Sequence, residues 1–357
     1  MLEYLHISIF FCTLAVEMNI RYIIENSDMI WEKSRWKDGV KCPFCGCIHY
    51  YKTSQGKYKC KECGKIYTST TNTLLHSSKL KKWQWITAIY QLSINKNISI
   101  RELAKTIGIN KNSAYIMLQK IKYNLSQEDI NMIGETIIDE TYIGGWVNKH
   151  LSYKWDYMRK KGFVLPTQKK YTKTQILRAS SDYKQHVIAM IDSEGKTKLL
   201  HLPNPITKEC IKYVLRRENG ITSLVCDESK LYENCGLPIE TNNHSKHQWL
   251  TTTGKSSNAV ENRFSNIKRK IQYNTHTSEK YLQLHLNYFA WQVNYSGKSV
   301  EDKFNSLMVA ICKKKVTNND LFNFDYKKDY PKSRREIKRE EMALIQKEIG
   351  ELGIVLF

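Results

Sequence analysis

Two cysteine pairs constrain the fold of this chain more than any other feature. Each pair has the form Cys-x-x-Cys, and fourteen residues separate them: Cys42, Cys45, Cys60 and Cys63. Four thiolates at this spacing can reach one ion, and such a set is typical of a closed tetrahedral zinc site. The short polar segment around them cannot build a core unaided, so we expect a zinc ribbon over residues 39–72 that folds on Zn²⁺. Iron in the same cage, a redox pair, or Cys47 in place of Cys45 remain alternatives.

The charge balance indicates a polyanionic partner. The 357 residues include 56 Lys and Arg against 35 Asp and Glu, which gives a formal charge of +21. Hydrophobic residues make up 41% of the chain, enough for a sizeable core in two or three domains and too many for a disordered protein. Nucleic acid is the partner we expect, because phosphate neutralisation supplies most non-specific affinity. A soluble protein that is merely basic remains the alternative.

The N-terminal region, residues 1–38, is expected to hold an extension followed by a short helix. Residues 5–16 are almost continuously apolar, but about 20 residues are needed to span a bilayer. No Lys or Arg precedes this stretch, which argues against a signal peptide, and Met18 is an alternative start. Most other cysteines are scattered, as expected in a reducing compartment. We therefore expect a cytoplasmic protein with no membrane partner.

Residues 79–125 have the pattern of a helix-turn-helix domain. Ser99 and Glu102 have the spacing of a capping box, Gly108 suits the turn, and Asn110 suits the cap of a second helix. The second helix would enter a DNA major groove. The residues expected to face DNA are Lys111, Asn112, Ser113, Tyr115, Gln119 and Lys122. An ordinary helical hairpin is the alternative.

Three acidic residues have the setting of a phosphoryl-transfer site. Asp139 and Asp227 each end an apolar run, and Glu261 lies in a helical pattern. Two divalent ions held by such carboxylates can stabilise both oxygens of a displacement at phosphorus, which predicts catalytic Mg²⁺ or Mn²⁺. Neighbouring Glu140 and Glu228 are possible substitutes, although side chains alternate along a strand, so that one of each pair faces the site.

The surrounding region, residues 133–296, alternates strands with helices and predicts an α/β (α+β) domain. A basic, aromatic insertion interrupts it at residues 146–174. Residues 297–357 are expected to form a charged C-terminal tail that is partly helical.

Four blocks of this region resemble the catalytic blocks of Merlin-type DDE transposases, which are bacterial insertion-sequence enzymes with eukaryotic relatives. The blocks lie at residues 138–145, 225–227, 243–245 and 258–269, behind the zinc ribbon and helix-turn-helix that the family also carries. The resemblance implies an RNase H-like catalytic domain in which Asp139, Asp227 and Glu261 bind the metal ions. It also assigns Lys268 as the basic residue after the glutamate, and His244 as a motif histidine, with a surface-loop histidine as the alternative.

The function that this resemblance implies is transposition. The protein would bind the terminal inverted repeats of an insertion sequence, cleave a strand, and transfer the freed 3′ hydroxyl to target DNA. Arg263, Arg269 and Lys270 would line the DNA path, with Lys255 a weaker candidate. We expect a homodimer or larger assembly on double-stranded DNA, associated with the nucleoid when bound. A non-catalytic DNA-binding regulator, and an RNase H-like nuclease or resolvase without strand transfer, are the alternatives.

Overall fold

The chain divides into two compact units. Unit 1 comprises residues 1–127 and 287–324, and unit 2 comprises residues 128–286 and 325–357. The computed structural model describes residues 20–94, 98–143, 185–203, 206–227, 229–242, 258–273, 279–332 and 337. The predicted basic insertion at 146–174 and the apolar stretch at 5–16 lie outside these residues.

Unit 1 begins with a helix and a small antiparallel sheet. Helix α1 (Ile20–Arg35) precedes strands β1 (Tyr50–Lys52), β2 (Tyr58–Cys60) and β3 (Ile66–Tyr67), which pair in the order β1-β2-β3. The rings of Tyr58 and Tyr67 stack at 5.5 Å between centroids, and the ring of Trp36 meets both of them edge-on. This aromatic cluster packs with the buried thiols Cys42 and Cys60, so that a core forms on one side of the sheet only.

Three helices follow: α2 (Lys82–Ile94), α3 (Ile100–Ile107) and α4 (Lys111–Asn124). The predicted caps are present. Ser99 Oγ accepts the Glu102 N–H at 3.1 Å, and Asn110 Oδ1 accepts the Ser113 N–H at 2.8 Å. Gly108 ends α3 with φ +66°, a left-handed conformation that glycine adopts without a Cβ penalty. The helical pair expected from the sequence is thus confirmed in outline.

Unit 2 is built on a five-stranded mixed sheet. Its strands are β4 (Ile133–Ile143), β5 (Gln185–Ile191), β6 (Thr197–Leu202), β7 (Gly220–Asp227) and β8 (Ile239–Asn242), and helix α5 (Lys208–Arg216) connects β6 to β7. Their order is β6-β5-β4-β7-β8, with β4 antiparallel to β5 and parallel to β7. This mixed sheet confirms the predicted α+β class and is consistent with the RNase H-like fold that the resemblance implies.

The two faces of the unit 2 sheet have different coverings. Ile138 and Met190 pack with Ile211 and Val214 of α5 in one buried cluster. Because side chains alternate along a strand, Asp139 lies on the other face. Helix α6 (Asn258–Tyr273) contacts β4 and β5, and among its described side chains the buried ones form an apolar stripe: Val260, Phe264 and Ile267.

The C-terminal region differs from the expected charged tail. Helix α7 (Leu282–Asn294) begins in unit 2 and continues into unit 1, where α8 (Val300–Lys313) and α9 (Asn318–Phe322) follow. Helix α8 buries Phe304, Leu307, Met308 and Ile311 and contacts α1, α2 and α4. This apolar stripe has ordinary helical spacing, so the prediction of a tail from residue 297 was wrong for residues 300–322.

The helices that the structure describes include none with both the length and the apolar character needed to cross a membrane.

Candidate functional site

The four cysteines of the two pairs come together at one end of the ribbon sheet. Their Sγ atoms all lie within 4.8 Å of one another, with Cys42 Sγ 3.6 Å from Cys63 Sγ and Cys45 Sγ 3.5 Å from Cys60 Sγ. The Cys63 backbone N–H helps to lower the pKa of the Cys60 thiol to about 6, which favours the thiolate that binds metal. The donor set therefore fits a structural zinc ion. Cys47 stands outside this set, since its Sγ accepts the His49 N–H at 3.2 Å.

The two aspartates lie on neighbouring parallel strands of unit 2. Ile137 of β4 pairs with Val225 of β7, and Asp139 and Asp227 each follow two residues later. The parallel register therefore places the two residues level with each other on adjacent strands. Asp227 ends β7, whereas β4 continues to Ile143, so the end of the apolar run at Asp139 is not the end of a strand. Glu261 comes from the first turn of α6, which covers the face that carries Asp139.

The electrostatics of Asp139 show that these carboxylates are near one another. Burial is the largest of the causes that raise the pKa of Asp139 to about 7. The charges of Glu140, Asp227 and Glu261 contribute to the same rise, and the hydrogen bond from the Glu140 N–H opposes it. Like charges gathered in a partly buried site favour a bound cation. The carboxylate oxygens lie farther from one another than the thiol sulfurs do. Among the described residues, the cysteines alone form a group of three or more possible metal ligands, and their ligand atoms all lie within 4.8 Å of one another.

The structure separates Asp139 from its neighbour Glu140. The carboxylate of Glu140 accepts a short hydrogen bond from the O–H of Tyr232, which is only 1% exposed and belongs to the cluster around α5. Glu140 thus lies on the α5 face and Asp139 on the α6 face, as alternation requires. Glu228, the other possible substitute, lies outside the described residues.

The basic side chains predicted on α6 are accessible where the structure describes them. Lys268 and Arg269 are exposed, and Arg269 donates to Asn266 Oδ1 at 3.0 Å. Arg263 is half-buried. His244, Lys255 and the side chain of Lys270 lie outside the part of the chain that the structure describes.

Helix α4 has a narrower accessible face than the sequence predicts. Lys111, Asn112 and Tyr115 are exposed and Ser113 is half-buried. Gln119, however, is only 2% exposed, and Lys122 is half-buried with its Nζ 5.9 Å from the Tyr288 ring centroid. Burial lowers the pKa of Lys122 to about 8. The predicted exposure was wrong for these two residues because α8 and α9 pack against α4.

Comparison with known proteins gives two family matches. An ISXO2-like transposase domain matches residues 132–294, and a transposase zinc-ribbon domain matches residues 29–66. The chain is also 32% identical over 114 residues to an uncharacterized protein in transposable element ISH50 of Halobacterium salinarum. That match covers 30% of this chain and 38% of the relative, so the chain spans less than half of the relative's length.

The family matches agree with the division of the chain into ribbon and sheet domains. The transposase match runs from the residue before β4 to the end of α7, and the zinc-ribbon match begins within α1 and ends in β3. They confirm the predicted resemblance to transposases and, with the cysteine cluster, support a structural zinc ion. Helices α8 and α9 lie outside both matches.

Sequence reasoning missed one residue beside the acidic site of unit 2. Tyr232 lies in the irregular segment between β7 and β8, where no periodicity indicates which side chains are buried. A buried tyrosine usually finds a hydrogen-bond partner for its O–H. That rule predicts a hydrogen-bond partner for the O–H of a buried Tyr232, but it does not identify Glu140 as that partner.

Proposed function

We propose that this protein is the transposase of an insertion sequence that cuts and joins DNA. In this proposal it binds terminal inverted repeats, cleaves a strand at the end of the element, and joins the freed 3′ hydroxyl to target DNA. The observation that carries the proposal is the electrostatic coupling of Asp139 to Asp227 and Glu261, three carboxylates from two adjacent strands and one helix.

The three carboxylates are the proposed ligands of Mg²⁺ or Mn²⁺. Their oxygens are hard donors of the kind that these ions prefer, and the raised pKa of Asp139 reflects burial together with like charges that a cation would relieve. When bound, the ions would supply charge neutralisation and a more acidic nucleophile at the scissile phosphate. Two adjacent strands hold Asp139 and Asp227 in place before DNA arrives, so that little ordering remains to be done.

The proposed reaction consists of two displacements at phosphorus. In the first, the oxygen of a water molecule bonds to phosphorus and the P–O3′ bond breaks, which leaves a 3′ hydroxyl and a 5′ phosphate. In the second, that 3′ oxygen bonds to a target phosphorus and loses its proton, while the target's own 3′ oxygen leaves and is protonated. The same three carboxylates would serve both displacements, and Lys268 would contact the DNA backbone beside them.

The DNA contacts are proposed to be shared between the units. The exposed start of α4, with Lys111, Asn112 and Tyr115, would read base edges of the terminal repeat. Ser113 would assist at the helix start. The basic side chains of α6 would follow the backbone near the cut: Arg263, Arg269 and Lys270. His244 keeps its predicted role as a motif histidine. Because two DNA ends must be joined to one target, we propose that the protein acts as a dimer or larger assembly.

A cleavage and joining assay tests this function. Duplexes taken from the DNA on both sides of the gene would be incubated with the purified protein, Mg²⁺ and a supercoiled target plasmid. The proposal predicts strand cleavage at the element ends and joined products, with both lost in Asp227→Asn. Cleavage without joining would instead identify a nuclease, and binding without cleavage would identify a DNA-binding regulator.

A further inference from the structure

We propose that the open face of the ribbon sheet is a contact surface for the sugar-phosphate backbone of double-stranded DNA. We name this surface the ribbon face and define it by Tyr51, Lys59 and Ile66 together with Lys61 and Lys65. The inference rests on the proposed DNA binding of the whole protein and adds where, and how, the ribbon takes part.

The ribbon sheet has one buried side and one open side. Along β2, Tyr58 and Cys60 are buried while Lys59 between them is exposed. The buried side holds the stacked pair Tyr58 and Tyr67 and two of the zinc ligands. Because side chains alternate, the partners of Lys59 on the adjacent strands lie on the open side with it.

The open side carries a continuous cross-strand row. Lys59 pairs with Tyr51 of β1 and with Ile66 of β3, so the three side chains stand next to one another. Tyr51 is 59% exposed and Ile66 is 56% exposed, high values for such large apolar side chains. A sheet with its core on one side only therefore presents a partly apolar surface to solvent.

Two further lysines extend this surface. Lys61 Nζ lies 4.6 Å from the ring centroid of Tyr51, and Lys65 Nζ lies 4.7 Å from that of Phe44, which is also exposed. Exposed cation–π contacts are weak, about 0.5–1 kcal/mol. Both ammonium groups are exposed and remain accessible to a third partner.

The net charge of the ribbon indicates which class of partner binds the ribbon face. Residues 40–67 contain one acidic residue, Glu62, and six lysines: Lys41, Lys52, Lys57, Lys59, Lys61 and Lys65. The difference is +5, and a zinc ion with four thiolates contributes −2, which leaves +3. Lys59 lies at the centre of the row, and an apolar protein partner would bury its ammonium group without a counter-charge. Burial of an unpaired charge is costly in free energy. Phosphates supply that counter-charge, and sugar edges can pack on Tyr51 and Ile66.

The chemistry of the row points to backbone contacts rather than base reading. Lysine is a point charge on a flexible stem, whereas the planar Arg fork and the amides of Asn and Gln are better matched to bidentate base recognition. The row contains none of these three residue types, while α4 exposes Asn112 near its start. The ribbon face would therefore supply affinity without sequence preference, and α4 would supply specificity.

A salt titration tests this inference without knowledge of the end sequence. The probe is a mixed-sequence DNA duplex, and the variant is the full-length protein with Lys59→Gln, Lys61→Gln and Lys65→Gln. Each lost phosphate contact should reduce the slope of log K against log salt by about 0.9, so we expect the slope to fall by about 2 to 3. Tyr51→Ser alone should weaken binding with little change of slope. Retained zinc content shows that the ribbon stays folded.

The matched control has the same change of charge elsewhere in unit 1. It carries Lys298→Gln, Lys313→Gln and Lys315→Gln, three exposed lysines outside the ribbon. The inference requires a smaller change of slope for this control than for the ribbon variant. Equal slopes for wild type and ribbon variant, or equal losses in both variants, would overturn it. A wild-type protein that does not bind the duplex at all would instead refute the proposed DNA-binding function.

Discussion

The O–H of Tyr232 donates a hydrogen bond to the carboxylate of Glu140, next to Asp139 in sequence. Tyr232 follows Asp227 by five residues, so this bond connects the segment after β7 to β4. It therefore joins, on the face away from α6, the two strands that carry the predicted metal ligands. The Ser229 N–H adds a second constraint by donating to Asp227 Oδ1 at 3.1 Å.

Loss of this bond should affect both stability and the acidic site. In Tyr232→Phe the half-buried Glu140 carboxylate loses one of its hydrogen-bond donors, and we expect about 1–3 kcal/mol less stability in chemical denaturation. We also expect weaker Mn²⁺ binding, measured by titration. Tyr326→Phe is the matched control, since it removes an O–H that donates to the more exposed Glu279 at 2.9 Å. Unchanged Mn²⁺ affinity in Tyr232→Phe would contradict a positioning role.

The zinc site should distinguish Cys45 from Cys47. Cys45→Ser removes one of four gathered ligands and should lower the zinc content, with loss of ordered structure in the ribbon. Cys47→Ser should keep one zinc ion per chain, because the Cys47 thiol faces the backbone of His49. Metal analysis of the purified variants provides the measurement. The reverse pattern would show that Cys47 is the ligand.

His201 should make unit 2 sensitive to acid. Its ring stacks on Tyr326 at 3.6 Å and its Nε2 lies 2.9 Å from Gln185 Oε1. Burial, aided by the charges of Lys327 and His186, lowers the pKa of His201 to about 3. A group whose pKa is lower in the folded state than its unfolded value of about 6.5 disfavours folding as pH falls between those values.

The size of this effect can be measured with a variant that does not titrate. Between about pH 7 and pH 5 the wild type should lose about 2 kcal/mol of unfolding free energy through His201. His201→Gln should be less stable at pH 7 but should lose less on acidification, as measured by urea denaturation at both pH values. The same acid loss in both proteins would show that His201 is not the titrating group.

Substitutions on the exposed and buried sides of helix α4 should have different effects. A change on the exposed side should affect the specificity of DNA binding, and a change on the buried side should affect the stability of the fold. Asn112→Ala removes an exposed side chain at the helix start and should reduce binding to the terminal repeat by about 1–3 kcal/mol relative to mixed-sequence DNA. Gln119→Ala changes a buried side chain and should lower thermal stability with little change in that ratio. Competition binding and thermal unfolding give the two readouts. A selective loss of repeat binding in Gln119→Ala would contradict the burial.

The helix caps and the zinc ligands were predictable because their signals are local. Ser99, Gly108 and Asn110 each determine a cap within their own turn, and the cysteine spacing determines the ribbon. The register of β4 and β7 agrees with the proximity expected for Asp139 and Asp227. The burial of Gln119 was not predictable from α4, because the helices that cover it come much later in the chain.

The central claim is that Asp139, Asp227 and Glu261 form one metal site that cuts DNA. Asp139→Asn tests it most directly. Because the raised pKa of Asp139 means that its charge is destabilising, the variant should be about 1–3 kcal/mol more stable than wild type in a metal chelator at neutral pH. Added Mn²⁺ should stabilise the wild type but not the variant, and only the wild type should nick element-end DNA. A variant that Mn²⁺ stabilises equally, or that still nicks this DNA, would contradict the account.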